Sequence, residues 1–291
     1  MELPDSALPG LFQGADRLSL RGQSRFLLGS RLRLVLVVVA AAGGAFSWQV
    51  GARFDLAALV TVVALVGAIV AEVWLLVEKP ERDWYDGRAL AESAKTLTWR
   101  YAVGAAPFED MDEQSAESRF IDELATLLRE APSTAVAPTA APAVSNELRQ
   151  LRKAPLAQRR ESYLRHRIDD QAEWYRGKSE WNIGRAHLWR VVLLVLEAVG
   201  VVAALLRTVG LVELDLAGIV AALIGAGAAW LATKQHDGLG RAYAFAGNEL
   251  SLARARLVGV TTQADWAREA ADAEEAISRE HTMWRASRSS H

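Results

Sequence analysis

Two carboxylates interrupt apolar stretches of the chain, and their position makes them the first candidates for a chemical role. Glu197 lies near the middle of an apolar block at residues 188–206. A carboxylate at mid-membrane depth needs water, a partner or a proton. Glu197 therefore either lines a pore and contacts ions, or is a protonated or paired group that fixes helix packing. Glu72 lies near the end of its own block, with Lys79 and Arg82 just beyond. Solvation at the membrane interface explains Glu72, and a pore-lining role is the alternative.

Groups that usually carry catalysis or bind metals do not form recognisable motifs in this sequence. The chain contains no cysteine, so thiolate metal sites and cysteine nucleophiles are excluded. It has no phosphate-binding Walker A run and no Gly-x-Ser-x-Gly elbow. The histidines lack the spacing of metal ligands: His166, His187, His236, His281 and His291. We therefore expect no enzymatic activity, no cofactor and no bound metal.

Adjacent acids and a basic cluster in the polar parts are predicted to be solvated surface. Asp169–Asp170 and Glu274–Glu275 are neighbours on predicted helices, so the two members of each pair point in different directions. A group of basic residues, diluted by acids, precedes the third apolar block: Arg149, Arg152, Lys153, Arg159, Arg160, Arg165 and Arg167. We expect a solvated helix face there. Contact with anionic lipid headgroups is the next interpretation, and nucleic acid is the weakest.

Four apolar blocks are each long enough to cross a bilayer as an α-helix. They cover residues 32–50, 56–77, 188–206 and 214–232. A helix needs about 20 residues to span the hydrocarbon, where lipid cannot satisfy the backbone of an isolated strand or loop. Burial in a soluble core is the alternative, but too little polar sequence remains to cover four such blocks. Short connections within each pair predict two antiparallel hairpins, and hence an all-α integral membrane protein with four transmembrane helices and long cytoplasmic helices.

Basic residues are unevenly placed around these hairpins and predict their orientation. The hairpin loops carry only Arg53 and Arg207, whereas the other ends of the blocks carry many lysines and arginines. The positive-inside rule then puts both termini and the middle of the chain in the cytoplasm. We expect a multi-pass membrane protein in this orientation.

The polar sequence divides into helical segments and one linker. Residues 80–130 show the three- and four-residue spacing of helices, and residues 237–285 are rich in Ala, Glu, Arg and Leu, which favour a long helix. Residues 132–144 combine prolines with Ala, Ser and Thr, which is typical of a flexible or extended linker. The linker separates two units, residues 1–131 and 145–291, that share one plan. This similarity suggests duplication, although identity between the halves is low.

Small residues recur at four-residue spacing in the apolar blocks, where they let helices approach closely. They are Ala40, Gly44, Ala64, Ala68, Ala221, Gly225 and Ala229. Close packing within each hairpin is the simpler interpretation of this pattern. Contact between subunits is the alternative.

A motif after the first hairpin resembles a known family. Residues 83–101, DWYDGRALAESAKTLTWRY, are similar to the SLATT family, the SMODS- and SLOG-associating two-transmembrane effector domains. The residues that carry this resemblance are Trp84, Tyr85, Arg88, Glu92, Lys95, Trp99, Arg100 and Tyr101. In the second half, Trp174, Tyr175 and Glu249 resemble another branch of the family. The chain is therefore similar to two tandem copies of the domain.

The resemblance implies an oligomeric, pore-forming effector of a bacterial conflict or antiviral defence system, placed in the bacterial inner membrane. A nucleotide-signal or stress sensor encoded nearby would act on its cytoplasmic helices. We expect a homo-oligomeric ion channel, because four helices with one deep carboxylate hardly enclose a hydrated path. The main alternative is a non-conducting membrane scaffold that recruits a cytoplasmic sensor, and a secondary transporter is a further one. The family brings no catalytic residues to this sequence.

Overall fold

The computed structural model describes residues 3–50, 54–131 and 136–289, with side chains described up to residue 278. After a 3-10 turn at Asp5–Ala7, the helices are α1 (Gly10–Ala45), α2 (Leu56–Glu78), α3 (Pro80–Val103), α4 (Glu113–Glu130), α5 (Asn146–Lys153), α6 (Leu156–Tyr163), α7 (Asp170–Thr208), α8 (Leu216–Lys234), α9 (His236–Gly259) and α10 (Gln263–Ser289). A π-helical segment at Leu164–Asp169 joins α6 to α7. The protein is almost entirely helical.

Within these described ranges, four helical stretches are long and apolar enough to cross a membrane, and they include α1, α2, α7 and α8. This confirms the predicted all-α fold class with four membrane-spanning helices. The first apolar helix ends earlier than expected, at Ala45. The reason is local pairing, because β1 (Gln49–Val50) forms an antiparallel ladder with β2 (Phe54–Asp55). Arg53, used above to predict orientation, lies outside the described residues.

The second helix of each hairpin begins and ends in the same way. Asp55 and Asp215 cap α2 and α8, and each side chain accepts a hydrogen bond from backbone N–H in the first turn. Each helix is followed by a non-glycine residue in the left-handed conformation, Lys79 with φ 47° and Gln235 with φ 50°. The next helix then begins at the following residue. The two halves thus share the same local geometry at these corners.

The described chain forms two compact units. The polar unit combines the chain up to Gln23 with Glu81–Ser179 and the chain from Arg241 onward. The apolar unit combines Ser24–Pro80 with Glu180–Gly240. Each unit therefore takes segments from both halves of the sequence.

Within the apolar unit, α1 and α2 pack through small residues. Three of the predicted small residues are buried: Ala40, Ala64 and Ala68. The Thr61 hydroxyl donates to the Ala40 carbonyl oxygen of the facing helix, 3.3 Å away. A Cβ added at Gly43 would lie 2.6 Å from Thr61 Oγ1, whereas one added at Gly44 would meet no atom within 4 Å. Gly43 therefore lies in the contact between the helices, and Gly44 lies outside it.

The contact between α7 and α8 runs beside the predicted small residues. Val220 and Gly227 are the buried positions of α8, and a Cβ at Gly227 would lie 3.0 Å from Leu193 Cδ2 of α7. The predicted small residues are exposed or half-buried: Ala221, Gly225 and Ala229. The interpretation of Ala221 and Gly225 as packing residues within the hairpin is therefore wrong, because α8 turns a different face toward α7.

The polar unit has an aromatic core to which both halves contribute. Tyr101 stacks on Phe120 with ring centroids 4.6 Å apart, and Trp99 meets Tyr163 edge-on at 5.7 Å. Trp266 of α10 is fully buried, and its indole N–H donates to the carbonyl oxygen of the last α3 residue, 2.9 Å away. Because a buried N–H needs an acceptor, this bond fixes α10 against the end of α3.

Most of the basic cluster is built into the polar unit. Arg152 donates to two carbonyl oxygens, one near the end of α3 and one in the turn beyond, both at 2.8 Å. Arg159 donates to the carbonyl oxygen of the last α3 residue at 2.7 Å, and Arg160 donates to that of Val260, just beyond α9, at 2.6 Å. Arg149 and Lys153 form ion pairs with acids of α4. The prediction of a solvated face is wrong for the three carbonyl-bound arginines, which donate to carbonyl oxygens at or beyond helix ends where helical partners are lacking. It is also wrong for Arg167, which is buried.

We expect Gly43→Ala to destabilise the α1–α2 hairpin by about 1–3 kcal/mol, because the methyl overpacks the contact with Thr61. Gly44→Ala is the matched control, since it places the same methyl in open space and favours the helix by up to about 1 kcal/mol. Thermal unfolding of both variants in one detergent measures the difference. Equal melting temperatures would contradict the assigned contact.

Candidate functional site

Glu197 lies on α7 in the middle of the apolar segment and is exposed in the protomer. Its neighbours on the same helix face are apolar and open, with Leu194 exposed by 65% and Val201 by 61%. Among the described residues, the Glu197 carboxylate has no hydrogen-bond or ion-pair partner. This carboxylate therefore stands on an apolar outer surface and does not hold the described protomer together.

Glu72, by contrast, has a partner. Its carboxylate forms an ion pair with Arg33 of α1, and Glu78 of the same helix pairs with Arg25 at 3.1 Å. The two pairs lie about two helical turns apart on α2. In this structure Glu72 links α1 to α2, which is a different role from the solvated group that its sequence position indicates.

A cavity of about 420 Å³ lies within the polar unit. Its wall comes from α1 and α3 of the first half, and from the π-helical segment and α7 of the second half. Charged side chains line it from both halves: Asp16, Arg88, Glu92, Lys95, Arg167 and Asp170. Residues of both copies therefore form the cavity.

The spacing along α3 explains its share of the lining. Arg88, Glu92 and Lys95 are four and three residues apart, which puts them on one face of the helix. Arg88 pairs with Glu92 at 2.8 Å, and Lys95 pairs with Asp5 at 3.0 Å. These three residues of the predicted motif are brought together at the cavity.

The π-helical segment supplies the opposite wall. His166 and Arg167 both lie in Leu164–Asp169 and both line the cavity. A π-helical turn holds an extra residue, so adjacent positions are presented differently from those of an α-helix. Such segments are frequent at functional sites.

Arg167 and Glu274 form a buried ion pair beside the cavity. Arg167 is 2% exposed, and its Nε and Nη2 donate to the two carboxylate oxygens of Glu274 at 2.9 and 2.8 Å. The Tyr163 hydroxyl donates to the same carboxylate at 3.0 Å. Burial lowers the pKa of Arg167, but the Glu274 carboxylate outweighs it and raises that pKa above its ordinary value. The prediction of Glu274 as solvated surface is wrong, because Glu274 is fully buried.

One nitrogen of this guanidinium is not satisfied by the pair. Nη1 of Arg167 is buried and donates to no acceptor in the described part of the chain. An unsatisfied buried donor is costly, and more so when it belongs to a charged group. Arg167 therefore keeps one unused donor, and it is also one of the residues that line the cavity.

Asp16 of α1 is the second incompletely satisfied group at the cavity. It is half-buried, and no described residue forms a hydrogen bond or ion pair with it. Burial raises the pKa of Asp16. Arg88 and Lys95 oppose this change, Asp5 and Glu92 add to it, and the net result is a pKa above the ordinary value.

The other motif residues of the first half support the polar unit. Trp99 and Tyr101 are buried in its core. Arg100 donates to the Ala271 carbonyl oxygen of α10 at 2.9 Å. The rings of Trp84 and Tyr85 contact one another with centroids 5.0 Å apart.

The motif residues of the second half lie at different places in the polar unit. Trp174 lines the cavity, and Tyr175 is buried and stacks on Tyr243 with centroids 5.9 Å apart. Glu249 lines a different cavity of about 350 Å³ between α9 and α10. The structure therefore does not bring Glu249 together with the cavity residue Glu92.

Sequence reasoning missed Asp16, Arg167 and Glu274 as parts of one site. A signal for Glu274 was present, because it lies four residues after Ala270 and three before Ile277, and both of these are buried. That spacing puts Glu274 on the buried face of α10. Its partner lies 107 residues away in the sequence, and no local pattern identifies it.

We expect Arg167→Met to lower the free energy of unfolding by about 3–5 kcal/mol, because it leaves the Glu274 charge buried without its partner. Arg165→Met is the matched control: it breaks an exposed pair with Glu161, for a loss of at most about 1 kcal/mol. Adding Glu274→Leu to Arg167→Met should restore stability, because no buried charge then remains. Denaturant unfolding followed by tryptophan fluorescence measures all three, and equal losses in the two single variants would contradict the assignment.

We expect Asp16→Asn to stabilise the protein at neutral pH. The folded-state pKa of Asp16 is raised, so its ionisation opposes folding as the pH rises from the unfolded-state pKa through the folded-state pKa. The gain should vanish well below its ordinary pKa of 3.8, where both states are protonated. Melting temperature against pH measures this, with Asp122→Asn on the exposed surface of α4 as control. A gain that is independent of pH would contradict the raised pKa.

Family models match the chain twice, in tandem. SMODS and SLOG-associating 2TM effector domain 3 matches residues 9–160, and SMODS and SLOG-associating 2TM effector domain 1 matches residues 163–284. Each matched range contains one apolar hairpin. No curated protein and no solved structure matches the chain. Because the first match alone covers more than half of the sequence, the protein belongs to the SLATT family of two-transmembrane effector domains associated with conflict systems, and it carries two such domains in one chain.

Proposed function

We propose that the protein is the pore-forming membrane effector of a bacterial antiviral conflict system and that it acts as a homo-oligomer in the inner membrane. In this proposal it acts on the membrane itself and not as an enzyme. A trigger received by the polar unit shifts the population from a closed to an open state. Glu197 is the observation that carries the proposal.

An exposed carboxylate at this depth is difficult to reconcile with a lone protomer in lipid. Placing an acid at the centre of a transmembrane helix costs roughly 2.5–3.5 kcal/mol on insertion scales. Glu197 has no compensating partner among the described residues. A second protomer or a column of water would supply the compensation, and a ring of such groups around a wet path is a recognised basis of cation selectivity.

The outer face of α8 offers a place for a neighbouring protomer. Ala221 and Gly225 are exposed, and Gly225 has no atom within 4 Å of an added Cβ. Small residues on a lipid-facing surface let another helix approach closely. We assign these two positions to contact between subunits.

The distribution of basic residues supports an orientation with the polar unit in the cytoplasm. Arg207, near the end of α7, is ion-paired with Asp215 at the start of α8, at 2.5 Å. Arg207 is also the single basic residue of residues 207–215, and a loop with few lysines and arginines is expected on the side away from the cytoplasm. A sensor encoded nearby would then reach the polar unit directly, and we propose such a sensor as the partner.

We expect Glu197→Gln to preserve assembly but lower conductance and weaken cation preference, because it removes charge from the pore while keeping shape. Glu130→Gln, an exposed change at the end of α4, is the matched control and should leave current unchanged. Single-channel recording of purified protein in planar bilayers, in asymmetric salt, measures both quantities. Light scattering of the same preparations measures subunit number.

The pore-lining role is wrong if correctly assembled Glu197→Gln conducts and selects ions as the wild type does. A strictly monomeric mass in several mild detergents and in nanodiscs would remove the shared pore. Silence of the wild type under every trigger, with an intact oligomer, would favour a scaffold that recruits a sensor.

A further inference from the structure

Two residues that line the cavity of the polar unit have opposite unmet hydrogen-bonding requirements. Nη1 of Arg167 is a buried donor with no acceptor in the described chain. Asp16 is a half-buried acceptor with no described donor. A ligand that satisfies both must offer an anionic or carbonyl oxygen at one point and an N–H donor at another.

We propose that this cavity binds a small zwitterion of amino-acid type, whose anionic oxygen group accepts from Arg167 and whose ammonium group donates to Asp16. The volume, about 420 Å³, lies within the range of small-molecule sites. The binding claim does not depend on the proposed pore. The claim that such a ligand is a trigger does rest on it.

The charge balance of the lining favours a zwitterion over a polyanion. Four carboxylates line the cavity, from Asp5, Asp16, Glu92 and Asp170, against three cationic side chains. One of those cations, Arg167, is already neutralised by Glu274 outside the lining. A ligand with several negative charges would meet net repulsion, whereas a zwitterion adds no net charge.

Aromatic surfaces in and beside the lining suit the ammonium end. Phe12 and Trp174 both line the cavity. The Lys95 ammonium lies 5.5 Å from the Phe12 ring centroid, and the Lys178 ammonium lies 5.7 Å from that of Trp174. Both rings therefore already attract ammonium groups in this structure, as expected from the charge distribution of an aromatic face.

The unfavourable ionisation of the half-buried Asp16 supports a binding role over a structural one. Its raised pKa means that the ionised form opposes folding at neutral pH. Such a carboxylate fits a site where a ligand completes its interactions. A ligand that donates to Asp16 and accepts from Arg167 would bridge α1 of the first half to the π-helical segment of the second half.

The test uses the full chain in lipid nanodiscs and isothermal titration calorimetry. The probes are the individual proteinogenic amino acids, inorganic phosphate as a pure anion, and spermidine as a pure cation. We expect at least one amino acid to bind with a Kd below 10 mM and to raise the melting temperature. Its N-acetyl derivative, which lacks the ammonium, and its carboxamide, which lacks the anion, should each bind about tenfold or more weakly.

Asp16→Asn should weaken binding of the same amino acid about tenfold or more, because it removes the ammonium acceptor with little change of shape. Asp122→Asn, on the exposed surface of α4, is the matched control and should bind as the wild type does. The melting temperatures of both variants at neutral pH establish that they are folded.

Three results would overturn the proposal: no amino acid binds, phosphate or spermidine binds as tightly as the best amino acid, or Asp16→Asn binds it unchanged. Calorimetry needs no current, so the two proposals fail separately. A protein that binds an amino acid but never conducts refutes only the pore. A protein that conducts but binds none of the amino acids refutes only this site.

Discussion

Hydrocarbon cannot hydrogen-bond a polypeptide backbone, and most of this architecture follows from that constraint. Each apolar segment must satisfy its own N–H and C=O groups, so each is a helix. The chain then has to return after every crossing, and it does so through capped ends at Asp55 and Asp215. Because the chain leaves the apolar unit and re-enters it, the polar unit is assembled from three separated stretches of sequence.

The apolar helices could be predicted because hydrophobic length is a local property of the sequence. The roles of the arginines in the polar unit could not be predicted from the sequence. Runs of charge usually indicate a solvated face, but Arg152 and Arg159 donate to carbonyl oxygens 44 to 56 residues earlier in the chain. A helix end that lacks partners can be satisfied by any donor that tertiary packing brings near. Only the folded chain shows which donors do so.

The candidate site could be predicted in part. Arg88, Glu92 and Lys95 were identified as residues of the family motif and not as the lining of a cavity, and the structure places all three at the cavity. The opposite wall of the cavity was not predicted from the sequence, because Arg167 and its apolar neighbour Ile168 are both buried. In a regular α-helix adjacent residues point about 100° apart, so an arginine beside an apolar position is expected to face solvent. Arg167 is nevertheless buried, because it pairs with Glu274 of α10, which is distant in the sequence.

The unequal hairpins have an electrostatic consequence for the proposed assembly. The apolar part of α1, from Leu34 to Ala45, contains no charged residue, whereas the apolar part of α7 contains Glu197. Each chain therefore brings two hairpins but only one deep carboxylate. If the two hairpins alternate around a ring of such chains, neighbouring Glu197 carboxylates are separated by a hairpin whose one acid within an apolar block, Glu72, is paired with Arg33, and their mutual repulsion falls with this distance. Because only the second of the two joined copies carries Glu197, such a ring has one deep carboxylate for every four membrane-spanning helices.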